Sequence, residues 1–144
     1  MKDAVEREIW IDATPERVWR VLSEPPLLEA WLGPVASIEL HAGGKLVFPG
    51  DEACGAERFE AEVEVVEPPH RLVFRWQENG WVQGGYTRVS LTLSPRGAGT
   101  KVHLVESGFA SLDVSDELRA LYLEEIQSGW GMMLERLSGA ASRT

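Results

Sequence analysis

Cysteine occurs once, at Cys54, so the 144-residue chain closes no internal disulfide and a reducing compartment is its simplest home. Basic residues are scarce: 14 Lys and Arg face 23 Asp and Glu, for a net charge of -9. Non-specific nucleic-acid binding works by neutralising phosphates, so no nucleic-acid partner is expected. The same sign disfavours an anionic membrane surface. No stretch approaches the roughly 18 apolar residues of a membrane span. The opening MKDAVEREIW is charged and has no apolar run of the signal-peptide kind. No membrane insertion and a cytoplasmic location are expected. The three histidines, His41, His70 and His103, fall on separate elements without metal-site spacing. Cys54 sits in a Gly- and Glu-rich turn with no nearby base, and Gly97-Ala98-Gly99-Thr100-Lys101 lacks phosphate-loop spacing. The expectation is no metal, no cofactor and no assigned catalytic residue, which leans away from an enzyme.

What remains is an ordinary globular composition, 44% hydrophobic and 26% charged, with an excess of six tryptophans. No linker, repeat or composition shift divides the chain. One domain over residues 1–144 is expected, with an ordered core over about 5–137 and a loose end from Gly139.

Val5 to Ile11 alternates as a strand, with Val5, Arg7, Ile9 and Ile11 on one face. Thr14-Pro15-Glu16 reads as a helix start, and Ser23-Glu24-Pro25-Pro26 ends that helix and opens a second over Leu27 to Leu32. Strands are predicted over Val35 to His41, Lys45 to Phe48, Arg58 to Glu67 and Leu72 to Trp76. In the third of these Phe59, Ala61, Val63 and Val65 face one way and Glu60, Glu62 and Glu64 the other. Tyr86 to Leu93 and Thr100 to Glu106 form a hairpin across Ser94 to Gly99. The final helix is capped by Ser115. Its apolar stripe runs through Leu118, Leu121, Tyr122, Ile126, Trp130, Met133, Leu134 and Leu137. A meander of about six or seven antiparallel strands must cover its apolar face, and only this helix has a stripe long enough.

Four segments carry a resemblance: IDATPERVWRVLSEPPLLEAWLGP, VVEPPHRLVFRW, RVSLTLSPRGAGTKVHLVESGF and SGWGMMLERL. In this order they resemble the Hsp90-ATPase-activator-homologue (AHSA1-like) family of the START-like, helix-grip superfamily. The resemblance implies an α+β fold, a curved antiparallel sheet gripping the C-terminal helix around an apolar cavity. Fold does not choose among the functions of such proteins. The leading expectation is binding of a small hydrophobic or amphipathic ligand, lipid- or polyketide-like, by a carrier, sensor or sequestering protein. A co-chaperone stimulating an Hsp90-type ATPase, with a chaperone partner, and a polyketide cyclase or hydrolase are the alternatives. A homodimer is compatible with all three.

The expected ligand-binding residues are Trp31, Phe48, Phe59, Trp76, Glu106, Tyr122, Ile126, Trp130 and Met133. Trp130 lies between Gly129 and Gly131, each costing about 0.5–1 kcal/mol in a helix interior. Those glycines serve either close packing or room for a ligand beside the indole. Glu106 falls on the inward face with Val102 and Leu104, where an unpaired carboxylate is expensive. It reads as a structural ion pair, with Arg7 as one candidate partner, or as the polar anchor of an apolar pocket. The aromatic positions read singly as core and together as cavity walls. Trp81 sits in a turn as a lid, a partner contact or an exposed ring. The row Glu60, Glu62, Glu64 and Glu67 reads as a solvated face, with a chaperone-docking patch as the sharper alternative.

Overall fold

In a computed structural model, residues 4–32, 37–48, 59–76, 86–111 and 114–143 are described. Strand β1 (Ala4–Ile11) leads into helices α1 (Pro15–Ser23) and α2 (Pro25–Leu32). Strands β2 (Ser37–Ile38), β3 (Lys45–Phe48), β4 (Phe59–Glu67), β5 (Arg71–Trp76), β6 (Thr87–Arg96) and β7 (Gly99–Ser107) follow. A single 3-10 turn (Phe109–Ser111) then leads to the long helix α3 (Asp116–Arg143). All pairings are antiparallel and the sheet order is β1-β7-β6-β5-β4-β3-β2. This is the expected α+β helix-grip architecture.

The starts of the helices follow from local chemistry. The Thr14 hydroxyl accepts from the Arg17 backbone N–H at 3.3 Å and Pro15 fills the first helical position. The Ser115 hydroxyl accepts from the Leu118 N–H at 3.1 Å, with Asp116 and Glu117 in the first turn against the positive end of the helix dipole.

Four expectations shift. The hairpin between β6 and β7 is tighter: the strands run on to Arg96 and Gly99, leaving Gly97-Ala98 as the turn, with Gly97 at a φ of 62°. Among the described residues of the segment Val35 to His41, Ser37 and Ile38 pair as strand and the rest do not. The β4 register slips between Val63 and Val65. Beyond that bulge Val66, opposite the core residue Leu72, packs against the core in place of Val65, which lies opposite Val73. And α3 continues to Arg143, with Ala140 and Ala141 buried, so the end from Gly139 is helix.

The core lies between the inner face of the sheet and the three helices. Its inner rows are Val5 and Ile11 of β1, Thr100, Val102, Leu104 and Glu106 of β7, and Thr87, Val89, Leu91 and Leu93 of β6. Helix α3 runs closest to β1, α1 and α2. The second half of its stripe, from Trp130 through Leu134, Leu137 and Ala141, is buried; Leu118 and Leu121 in the first turns are 38% and 47% exposed.

Candidate functional site

Glu106 ends the inner row of β7, and Thr87 begins the inner row of β6 beside it. The Glu106 side chain is 1% exposed. Trp130 of α3 donates its indole N–H to Glu106 Oε1 at 2.6 Å. The Thr87 hydroxyl donates to Oε2 at 2.5 Å. Helix and sheet are thus joined through one buried carboxyl, each of whose oxygens accepts from a separate element. Such bonds strengthen where water is excluded. Sequence reasoning missed Thr87, although its signal matches that of Glu106: a polar residue in step with Val89, Leu91 and Leu93.

Arg7 does not fill the partner role envisaged for it. Glu106 is opposite Val5, whereas Arg7 is opposite Leu104. The Arg7 guanidinium reaches past the strand to α3 and donates from Nε and Nη2 to the Gln127 carbonyl at 3.1 and 3.0 Å. Gly131 makes that approach feasible, since a methyl group there would stand 3.2 Å from Arg7 Nη2. The two glycines flanking Trp130 therefore have different reasons. Gly131 accommodates an arginine. At Gly129 an added methyl group meets nothing within 4 Å.

Gly129 lies on the flank of α3 that also carries Tyr122, Ile126 and Met133, at steps of four, three and four residues. All three are half-buried and rest against the edge of the core. The register brings the backbone positions of Phe48, Phe59 and Trp76 to the same end of the sheet as Glu106: Phe48 pairs with Phe59, and Trp76 with Thr87. The side chains of Phe48, Phe59 and Trp76 lie outside the described residues, as do Cys54 and Trp81. Trp31 stands apart from this group. It is closed into the α1–α2 packing, with its indole N–H donated to the Val21 carbonyl at 3.0 Å.

The glutamates of β4 are largely compensated within the sheet. Glu62 meets Arg75 at 3.2 Å, Glu64 takes Arg88 Nε at 2.6 Å, and Glu67 lies 4.0 Å from Arg71. The Arg75 guanidinium also covers the Tyr86 ring at 4.0 Å. Among the described residues, Glu6, Glu8 and His103 bring metal-ligating atoms within 4.8 Å of one another. Sequence spacing did not show this because two strands contribute. Both carboxylates already have partners there, with Lys101 Nζ 3.3 Å from Glu8 and His103 Nε2 2.7 Å from Glu6.

With this geometry in place, comparison with known proteins gives one family match and a set of similar folds. The model of the family described as Activator of Hsp90 ATPase homolog 1-like protein matches residues 12–142. No curated protein matches the chain. Protein MLL2253 from Mesorhizobium loti is similar at 26% identity and a TM-score of 0.80, over 98% of both chains. DynU16, a putative protein in the dynemicin biosynthetic locus, is similar at 24% identity and a TM-score of 0.76, over 96% of this chain and 46% of its own. The Aha1 dimer from Colwellia psychrerythraea is similar at 18% identity and a TM-score of 0.75, over 98% and 97%.

Proposed function

Because the chain belongs to the Activator of Hsp90 ATPase homolog 1-like family, we propose that it binds a small hydrophobic or amphipathic molecule between the inner sheet face and the first half of α3. Binding and sequestration, without turnover, is the action. The observation that carries this reading is the Gly129 flank. A glycine in a helix interior costs about 0.5–1 kcal/mol, and no neighbour requires this one to lack a side chain. Room for a guest accounts for it. Tyr122, Ile126 and Met133 line that flank, and apolar burial supplies the drive at about 25 cal/mol per Å², less the cost of immobilising the guest. Glu106, held by Trp130 and Thr87, is the buried polar group that would orient a guest bearing an O–H or N–H. The strand positions of Phe48, Phe59 and Trp76, at the same end of the sheet, belong to the proposed site. The fold likeness to a protein of the dynemicin biosynthetic locus directs the search toward polyketide-like guests.

The test is a thermal-shift screen of lipids, flavonoids and polyketides, read together with tryptophan fluorescence. A guest should raise Tm by mass action. Gly129→Leu should fill the space, keep its own Tm at or above that of the parent, and abolish the ligand-induced rise. A guest that protects Gly129→Leu as well as the parent overturns the reading. Glu106→Gln separates anchoring from turnover: weaker binding with no product in either protein fits an anchor, and a product lost only in the variant assigns a cyclase or hydrolase.

The family also suggests stimulation of an Hsp90-type ATPase. Acceleration of a cognate chaperone ATPase that survives Gly129→Leu would favour that second reading, since it would act through the outer surface.

A further inference from the structure

Trp10 lies on the outer face of β1, opposite Lys101 of β7, and is 50% exposed. Its ring is nevertheless held in one pose. The indole N–H donates to the Arg96 carbonyl at 3.0 Å. Gly99 lies beneath the ring, where a methyl group would stand 2.5 Å from Cζ2 of Trp10 and would also run into the Ile11 carbonyl oxygen. A partner landing on such a platform immobilises little that is not already fixed. A cleft of about 360 Å³ opens beside it, lined by Glu8, Ile9, Trp10, Arg96 and Lys101.

The charges around the cleft say what fits there, because they sort by partner. Lys101 is engaged with Glu8 and His103 with Glu6, whereas the Arg96 side chain has no carboxylate among the described residues. In a chain with 23 acids and 14 bases, an unmatched guanidinium beside a fixed indole is a local reversal of the prevailing charge.

We propose that this cleft docks an extended, acidic segment of a partner polypeptide. The segment crosses the outer face over β1 and β7, lays an apolar side chain on Trp10 and sets a carboxylate against Arg96. This surface is on the outer side of the sheet and does not depend on the ligand site within.

The experiment uses the full chain, 15N-labelled, with the Trp10 indole signal identified by its loss in Trp10→Phe. The probes are capped peptides repeating Leu-Thr-Asp-Thr, in which leucine and aspartate share one strand face, and their counterparts with lysine for aspartate. The aspartate peptide should shift the Trp10 indole and the β1 amides saturably. Arg96→Glu should weaken it by about tenfold or more and reverse the preference toward the lysine peptide. Trp10→Ala should remove binding while leaving the rest of the spectrum in place. Unmoved Trp10 and β1 signals, or equal binding of both peptides, overturn the proposal. So do shifts at these residues that follow protein concentration without peptide, which would assign the cleft to a second copy of the chain.

Discussion

Trp130 and Thr87 each commit their one side-chain hydrogen-bond donor to a carboxyl that water does not reach. Removing either donor strips a hydrogen bond from that buried group, at a cost of about 1–3 kcal/mol. Trp130→Phe and Thr87→Val should each lower stability by roughly that much in urea unfolding. The double variant should depart from the sum of the two, since both act on one group. Additive losses would mean that the two bonds are independent. Arg7 illustrates the limit of reasoning by parity. Alternation placed it on the inner face correctly, but which inward carboxyl or carbonyl it meets is decided by where a neighbouring helix lacks a side chain.

At the scale of elements, α3 gives a direct comparison between two glycines two residues apart. Gly129→Ala meets nothing and gains the usual helix advantage, so it should stabilise the chain by about 0.5–1 kcal/mol. Gly131→Ala should gain less or lose, because its methyl group presses on the Arg7 guanidinium at 3.2 Å. Denaturant midpoints of the two variants check this, and equal gains would refute the assigned roles. The elements most legible in the sequence were those with redundant signals. α1 had its cap, its proline and its apolar face, and β1 and β7 had clean alternation. Less legible was anything set by pairing. The bulge after Val63 exchanges Val66 for Val65 through a register slip that no local pattern records. Likewise, Leu118 and Leu121 fit the helical stripe but extend past the surface that covers it, which depends on where the sheet ends. In the site, Glu106 was legible as a polar residue in an apolar row, and its join to Trp130 required the helix to be docked.

Taken as a whole, the molecule confines much of its sheet-surface charge to short-range pairs, and its acid response follows from them. The Glu64 carboxyl is held below its usual value of 4.5, chiefly by the hydrogen bond from Arg88. A carboxyl lowered on folding contributes stability that is fully present above its unfolded value and lost as pH falls through the folded one. Being a surface pair, it is worth no more than about 1 kcal/mol. Arg88→Ala should therefore cost a little at neutral pH and nothing in acid below that range, by denaturant melts at both pH values. An equal cost at both would assign the effect to packing of the arginine stem.

The pairing of β1 with β7 joins residues 4–11 to 100–107, and Arg7 reaches onward to the Gln127 carbonyl in α3. β1 therefore gains its sheet neighbour only through a pairing that spans most of the described chain, and a contact of that sequence separation forms slowly compared with the local hairpins that build the rest of the sheet.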